Sequence, residues 1–359
     1  MAAIEAAVTE PPFAAYIDFI LVSLHCYSLH LIKLDEALIG SSRDHVLDVA
    51  RQEQPTFDRL FDSHLRLLEQ HARSLPLLER LKEGQALRAA CESLIRQAPF
   101  MHRTNVKPRG YQGDSEMMRM VYENDYRGET LFGMMLHKHI ISTPAADAVR
   151  NRRALVTREL RDWVRTHKSS APVEVLSVAC GPAYEIADIF RDQADFQKFR
   201  ITLLDQDGEA LGEAHQEIQA AETRCSGKVD VRYVKKSIGA LLRPGSVRDG
   251  LGKFDFIYSM GLYDYLDGRT AKKLTNALFD MLKPGGALLL GNYSKTNPTR
   301  YYLEYWCDWP LEYRDEKELA ALLEPSHPAR VEVGVEPSGC QLFLRVREGG
   351  GAAAPKAHL

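Results

Sequence analysis

Val173–Tyr184 reads Val-Glu-Val-Leu-Ser-Val-Ala-Cys-Gly-Pro-Ala-Tyr, and the prediction of the fold begins from this segment. Its alternating, β-branched half predicts a buried strand that stops at a Cys-Gly-Pro turn, after which Glu185–Phe190 predicts a helix. A strand, a turn and a helix in this order open a mononucleotide-binding half of an α/β sheet. Gly181 would let a ligand approach the backbone without a Cβ, and the N-terminus of the helix would present unpaired N–H groups to an anionic group.

A second apolar run, Ile201–Asp205, ends in an acid that lies 24 residues after Gly181. An acid about 20 residues on, at the end of the second strand, is where a nucleotide-binding fold holds the hydroxyls of a ribose. Asp205 has one alternative role, as the N-cap of the helix that follows. A single glycine between a strand and a helix is common in α/β proteins. The prediction of a nucleoside site therefore depends on Gly181 and Asp205 together.

From Val173 onward, short apolar runs alternate with helical segments. Further strands are predicted at Val229–Val234, Phe254–Ser259 and Ala287–Leu290, and a hairpin without an intervening helix at Arg330–Val335 and Gln341–Val346. We therefore predict an α/β fold, with a Rossmann-like, mostly parallel seven-stranded sheet and a C-terminal antiparallel hairpin. Such a sheet binds ligands at the carboxyl ends of its strands. The closing hairpin and the single glycine disfavour a nicotinamide oxidoreductase.

The first part of the chain is predicted to be an all-α N-terminal domain. Apolar residues recur at helical spacing from Phe13 to about Pro99. Phe13–Leu34 is the most apolar segment, but Asp18 and two histidines interrupt it and no basic stretch precedes it. We expect it to be a core helix, with neither a signal peptide nor a membrane span. The predicted divisions are a helical domain at 1–130, connecting helices at 131–170, a ligand-binding domain at 171–350 and a disordered tail at 351–359.

Composition narrows the classes of function. The chain has 359 residues, of which 45% are hydrophobic and 26% charged, and a formal net charge of −3. These values are typical of a soluble globular protein without a general attraction for nucleic acid. Its six cysteines form no C-x-x-C pair, so we expect reduced thiols in the cytoplasm, with no metal site and no disulfide framework.

Three other segments each leave two interpretations open. The loop at 105–115 crowds Arg109, Tyr111 and Asp114 among proline and glycine, so it is either a lid over the ligand or a loop whose Asp114 caps the next helix. The run Arg150–Arg153 is a solvated face or an anchor for an acidic ligand group. The aromatic segment Tyr301–Trp309 is buried against the helical domain or forms a wall of an apolar substrate pocket.

Taken together, these residues resemble the class I S-adenosylmethionine-dependent methyltransferases over about Val173–Val346. The likeness is carried by the Val-Ala-Cys-Gly-Pro turn, Asp205, the strand at 255–259, Leu-Lys-Pro-Gly-Gly at 282–286 and the closing hairpin. Ser177 and Pro182 depart from the family, which usually has an acid and a further glycine there. More narrowly, Pro-Arg-Gly-Tyr-Gln-Gly-Asp at 108–114 and Gly-Asn-Tyr-Ser at 291–294 resemble bacterial methyltransferases that make 3-hydroxy fatty acid methyl esters.

The resemblance implies S-adenosyl-L-methionine as cofactor and a role for each candidate residue. Asp205 would hold both ribose hydroxyls, and the other cofactor contacts would come from Ala179, Cys180, Gly181, Gln206, Ser237, Ile238 and Met260. Substrate contacts would come from Arg109, Tyr263 and Asn292, with the Arg109 guanidinium suited to a carboxylate. Tyr111, Asp114 and Tyr293 are the candidate catalytic residues. The tyrosines have packing as their alternative role, and Ser237 has a purely structural one.

The predicted function is methyl transfer to a small molecule, with the carboxylate of a fatty or other organic acid as the first choice of acceptor. A carboxylate is ionised at neutral pH and needs no general base, whereas an amine must first lose a proton. The alternatives are N-methylation of an amino acid or other small amine, and a non-catalytic interaction protein with a degenerate fold. A homodimer through the helical domain is a further option.

Overall fold

The computed structural model describes residues 13–167, 171–243 and 247–349, so the predicted tail at 351–359 lies outside the described residues. The described chain forms two compact units, each built from separate stretches of sequence. The helical unit comprises 13–112, 123–143 and 299–310, and the sheet unit comprises 113–122, 144–298 and 311–349. These bounds differ from the predicted domains, because two helices that lie outside 1–130 in sequence belong to the helical unit.

The helical unit is built around long amphipathic helices. Its helices, with all helices of the chain numbered in order, are α1 (Phe13–Ala37), α2 (Arg43–Ala72), α3 (Leu77–Ala90), α4 (Glu92–Ile95), α5 (Pro99–Val106), α7 (Leu131–Ile141) and α14 (Arg300–Trp306). Ser42 caps α2, since its side chain accepts the N–H of His45. The first three helices are separated by short connections at 38–42 and 73–76.

The aromatic helix α14 agrees with the first of its two interpretations, burial in the helical unit. Trp306 and Tyr305 are fully buried, and a Cβ on Gly84 of α3 would lie 3.2 Å from the backbone of Tyr305. Arg80 of α3 forms a buried ion pair with Glu304 of α14, with Nε 2.7 Å from Oε2. The close approach at a glycine and the ion pair together fix α14 against α3.

The prediction of a core helix holds for one face of α1 only. Ile17, Ile20, Leu24 and Leu31 are buried, whereas large apolar side chains on the opposite face are exposed. By length and composition α1 passes as a helix that crosses a membrane, and 17% of its most apolar 18-residue window is buried. The apolar surface of α1 is therefore wider than the single face that packs against the helical unit.

The sheet unit contains, among the described residues, the predicted seven-stranded sheet, in the order β3-β2-β1-β4-β5-β7-β6. The strands are β1 (Val173–Val178), β2 (Phe199–Asp205), β3 (Asp230–Lys235), β4 (Phe254–Ser259), β5 (Leu282–Tyr293), β6 (Ala329–Val335) and β7 (Gln341–Glu348). The first five are parallel, and β7 pairs antiparallel with both β5 and β6. The fold class is therefore confirmed, as an α/β fold with a Rossmann-like, mostly parallel sheet and a C-terminal antiparallel pair.

Helices cover both faces of this sheet. They are α8 (Pro144–Thr166), α9 (Tyr184–Ala187), α10 (Gly208–Cys225), α11 (Gly239–Leu242), α12 (Val247–Leu251), α13 (Gly268–Phe279) and α15 (Glu316–Ala320), with α6 (Ser115–Glu123) contributed by the 113–122 stretch. One apolar core lies among α8, α9, α10 and the sheet, and a second lies among α11, α13, α15 and the other face. A parallel sheet buried on both sides explains the continuous apolar strands of the sequence.

Two local predictions differ from the structure. The strand predicted at Ala287–Leu290 begins earlier, at Leu282, because Leu282 pairs with Phe254 and a register shift then accommodates the Pro-Gly-Gly segment. Gly285 has φ +78°, a conformation that glycine adopts without strain. The helix predicted at Glu185–Phe190 is the single short turn α9.

Candidate functional site

The predicted cofactor residues meet at one edge of the sheet. Val178 pairs with Leu204 and Asp205 pairs with Lys235, so three neighbouring parallel strands end side by side. The Ser259 hydroxyl at the end of β4 donates to the Val178 carbonyl at 2.8 Å. The segments after these strand ends carry Ala179, Cys180, Gly181, Asp205, Gln206, Ser237, Ile238 and Met260. The parallel register thus places all eight at the carboxyl edge, where open α/β sheets bind ligands.

The loop after β1 has an unusual backbone. Ala179, Gly181 and Ala183 all have positive φ, at 53°, 54° and 49°. Alanine in this left-handed region is strained by about 1–2 kcal/mol, and such strain is concentrated at functional sites. A Cβ built on Gly181 would meet no described atom within 4 Å, so the space beside this residue is open. The loop is therefore bent sharply and is not filled by its own side chains at that point.

Asp205 holds this loop through its carboxylate. Oδ2 accepts the N–H of Gly181 at 2.9 Å, and Oδ1 accepts the N–H of Asp207 at 2.9 Å. Burial raises the pKa of Asp205, and the bonds from these backbone N–H groups oppose that shift. The N-cap of α10 is Asp207 and not Asp205, which removes the alternative role. The backbone N–H of Gln206 also bonds to this carboxylate. An ionised carboxylate has about four acceptor positions, so about one remains for a ribose hydroxyl.

The main-chain N–H groups of the loop itself are paired in this structure. The N–H of Cys180 donates to Leu204, that of Gly181 donates to Asp205, and that of Ala183 donates to Cys180. The following helix, α9, has four residues, which is too short for a strong N-terminal dipole. Any ligand here would therefore be held mainly by the Asp205 carboxylate and by the open side of the loop.

A buried arginine lies beside the end of β4. Arg152 of α8 is 9% exposed, and its Nη1 donates to the Met260 carbonyl at 3.3 Å. Its Nη2 lies 3.3 Å from the Met118 Sδ and 3.2 Å from where a Cβ on Gly261 would stand. No carboxylate of the described chain lies within ion-pair distance of Arg152. Burial acts to lower the pKa of Arg152, but Tyr122, Tyr293 and Asp264 nearby outweigh it and hold that pKa above its usual value. The charged guanidinium is therefore stabilised here without a direct carboxylate pair.

The neighbours of Arg152 connect α8 to α6 and to the loop. Arg150 donates to the Val121 carbonyl at 2.8 Å, and the Arg153 guanidinium lies over the rings of Tyr122 and Tyr184, about 5 Å from each centroid. Arg153 also forms a bidentate pair with Asp188. The run Arg150–Arg153 is thus not a solvated face, and its alternative as an anchor for an acidic group is the one that Arg152 fits.

The candidate catalytic residues do not form one cluster within either unit. Asp114 is buried in the sheet unit, where its side chain accepts the N–H of Met117 at 3.0 Å and caps α6. The Tyr293 hydroxyl donates to the Ala145 carbonyl at 2.9 Å, and burial raises the pKa of this phenol. Arg109 and Tyr111 belong to the helical unit. Their predicted roles remain predictions.

Two of the predicted substrate contacts are core residues. Tyr263 is fully buried, and its hydroxyl shares a hydrogen bond of 3.0 Å with Thr275, so it packs and has no free edge for a substrate. The Asn292 side chain is also fully buried, donates to Asp264 at 3.1 Å and to the Glu312 carbonyl at 2.8 Å, and accepts from Arg314. These contacts occupy the amide, so Tyr263 and Asn292 both have structural partners in this structure, and their substrate roles remain predictions.

Two buried acids near this edge were not singled out by the sequence. Asp264 accepts the N–H of Tyr293 at 2.6 Å, and burial raises the pKa of its carboxyl to about 6, although Arg152 and Arg314 act to lower it. Glu185 accepts the Tyr258 hydroxyl at 2.7 Å, and burial raises its pKa as well. An acid after a Gly-Pro turn was the one signal for Glu185, and Asp264 has no distinct sequence signal.

Known structures support the fold and no closer relationship. No protein-family model and no curated protein matches the chain. A possible exported protein from Bordetella parapertussis is 16% identical, covers 78% of this chain and 99% of its own, and has a TM-score of 0.55. Magnesium protoporphyrin IX methyltransferase from Synechocystis, with bound S-adenosylhomocysteine, is 13% identical, covers 56% of this chain and 85% of its own, and has a TM-score of 0.42. An N-methyltransferase from Bradyrhizobium japonicum, with the same ligand, is 17% identical, covers 58% of this chain and 89% of its own, and has a TM-score of 0.39.

Proposed function

We propose that this protein is an S-adenosylmethionine-dependent methyltransferase that methylates the carboxylate of a small organic acid. The observation that carries the proposal is the carboxyl edge of the sheet, where Asp205 keeps an acceptor position beside a loop that is open at Gly181. Of the two resemblances in the sequence, the broader one agrees with the sheet order. The narrower one, to enzymes that make 3-hydroxy fatty acid methyl esters, supplies the first acceptor to test.

The residues at this edge fit the cofactor. Asp205 would accept a ribose hydroxyl, and Gln206 and Ile238 would border the adenine. Gly181 leaves room for the methionine part to approach the main chain. When bound, the cofactor supplies a methyl group already activated by a sulfonium. The protein then has to align acceptor and methyl carbon and exclude water.

The acceptor is inferred from Arg152. Its buried guanidinium has no ion-pair partner in the described chain, and its planar fork matches two carboxylate oxygens. An ionised carboxylate is already a nucleophile, so it needs no base. This agrees with the tyrosines at the edge, because burial raises the pKa of Tyr293 and Tyr263 and makes both phenols poor bases at neutral pH. Arg152 therefore replaces Arg109 as our candidate partner for the acid.

Isothermal titration with S-adenosylhomocysteine tests the cofactor. Asp205→Asn keeps the shape of the side chain and removes its charge. Since hydrogen bonds to charged groups contribute roughly 1.5–3 kcal/mol, we expect about 10- to 150-fold weaker binding. Asp207→Asn is the matched control, because asparagine also caps a helix and this residue faces α10. No binding to the unchanged protein, or equal binding by Asp205→Asn, would contradict the proposal.

Turnover with a panel of acceptors tests the substrate class. The panel comprises 3-hydroxy fatty acids, shorter organic acids, amino acids and simple amines, with methylated products identified by mass spectrometry. We expect methyl esters, and about 100-fold or greater loss with Arg152→Met but a smaller loss with Arg152→Lys, which keeps the charge without the fork. N-methylated products would show that the acceptor is an amine and not a carboxylic acid. Cofactor binding without any product would favour the non-catalytic alternative.

A further inference from the structure

The outward face of α1 carries a regular apolar stripe. Phe19, Val22, Leu29 and Ile32 are 55%, 64%, 61% and 48% exposed, on the side opposite the buried Ile20 and Leu24. Their spacing of three and seven residues, with the exposed Cys26 between them, keeps the stripe on one side of the helix. Scattered single apolar residues are normal on a surface, but a continuous stripe marks an interaction site.

The stripe is symmetric about its own centre. The midpoint between His25 and Cys26 lies halfway between Val22 and Leu29 and also halfway between Phe19 and Ile32. Two copies of α1 packed antiparallel about this point would therefore place Val22 against the partner's Leu29 and Phe19 against the partner's Ile32. Self-complementarity of this kind is what a two-fold symmetric interface requires.

The charges beside the stripe obey the same symmetry. Asp18 and Lys33 are both exposed, have no ion-pair partner among the described residues, and lie at equal distances from the midpoint. An antiparallel pair would bring Asp18 opposite the partner's Lys33 twice. A parallel pair would instead bring like charges together at both ends, which is unfavourable. The charges thus favour a second copy of α1 as the partner of this face, packed antiparallel.

We propose that the protein is a homodimer in which the outward faces of two α1 helices pack antiparallel. The 25 residues of α1 span about 38 Å at 1.5 Å per residue, so the contact has room for both apolar layers and both charge pairs. The proposal names an assembly surface within the helical unit and does not depend on the proposed enzymatic function.

Analytical ultracentrifugation of the full chain tests this inference. The unchanged protein should sediment as a dimer, and Leu29→Glu should sediment as a monomer with unchanged circular dichroism. Leu78→Glu is the matched control, because Leu78 is 65% exposed but lies on α3. A monomeric unchanged protein, or a dimer that persists in Leu29→Glu, would overturn the proposal.

Charge exchange tests the direction of the helices. Lys33→Glu should weaken the dimer about tenfold, because two like-charge pairs replace two attractive ones. Adding Asp18→Lys to that variant should restore the original dissociation constant. In a Cys26→Ser background, Val22→Cys with Leu29→Cys should form an intermolecular disulfide that neither single cysteine forms efficiently. A monomer that floats with vesicles of phosphatidylcholine and phosphatidylglycerol would assign the stripe to a lipid surface and overturn the proposal.

Discussion

Two buried arginines, Arg80 in the helical unit and Arg152 in the sheet unit, differ in how their charges are satisfied. Arg80 is paired with Glu304, which also accepts from Arg300 at 2.8 Å, and Arg80 donates to the Leu75 carbonyl as well. Arg152 contacts a carbonyl, a thioether sulfur and the Tyr122 side chain, without a carboxylate in the described chain at ion-pair distance. One arginine is held by a direct ion pair, and the other is stabilised by neutral contacts and, at longer range, by Asp264.

This difference separates residues that hold the fold from residues prepared for chemistry. A buried ion pair is not by itself strongly stabilising, but removing one partner leaves an uncompensated charge at high cost. Arg152 has no direct carboxylate pair, so its removal leaves no carboxylate without its ion-pair partner. Substitutions should therefore lower the free energy of unfolding more at Arg80 than at Arg152.

The largest expected effect is at the paired site. Glu304→Gln leaves Arg80 and Arg300 without their shared carboxylate, and we expect a loss of about 3–5 kcal/mol in the free energy of unfolding. Urea unfolding followed by circular dichroism measures it. The control is Glu69→Gln, which removes the surface ion pair with Arg73 and should change stability little. A small loss in Glu304→Gln would mean that this network is not structural.

The next effect concerns Asp264, the acid whose charge Arg152 acts on within the sheet unit. Its pKa is raised from 3.8 to about 6, so the folded state binds the proton more tightly than the unfolded state does. That contribution to stability is fully present below pH 3.8 and is lost as the pH rises to about 6. Two units correspond to about 3 kcal/mol at 1.36 kcal/mol per unit.

Asp264→Asn removes this titration and keeps an oxygen for the Tyr293 N–H. Relative to the unchanged protein, its free energy of unfolding should rise by about 3 kcal/mol between pH 4 and 7. Urea unfolding at a series of pH values measures the difference. Asp267→Asn is the opposite control, since N-cap bonds lower the pKa of Asp267 and its removal should reverse the slope. A flat difference for Asp264→Asn would contradict burial as the cause of its raised pKa.

A smaller effect is expected at Arg152 itself. Arg152→Met replaces a buried charge that has no ion pair in the described chain with an apolar side chain of similar length, and the Met260 carbonyl still accepts from Gln341 at 3.0 Å. We expect the free energy of unfolding to fall by no more than about 1–2 kcal/mol, because no carboxylate loses an ion-pair partner. Arg80→Met, the matched variant at the paired site, should lower it by about 3–5 kcal/mol. If both variants are destabilised alike, Arg152 is a structural residue as well.

The sequence was informative where a pattern depends on backbone geometry and uninformative where it depends on packing. Apolar runs at regular spacing predicted the sheet, and parallel register then placed Asp205 beside Gly181. Arg152 and Arg153 are adjacent and look alike in sequence, but helical rotation aims one at Met260 and the other at Asp188. The interactions of Asp264 with its buried neighbours likewise exist only after the chain has folded.

The smallest expected effect tests whether the backbone of the loop after β1 is strained. Ala183 has φ 49° and is fully buried, and glycine adopts this conformation without the Cβ clash that alanine suffers. Ala183→Gly should therefore raise the free energy of unfolding by about 1 kcal/mol. The control is Ala214→Gly in the middle of α10, where glycine should cost about 1 kcal/mol. Equal losses in both variants would show that the loop is relaxed, and the bend at Gly181 would then be ordinary turn geometry.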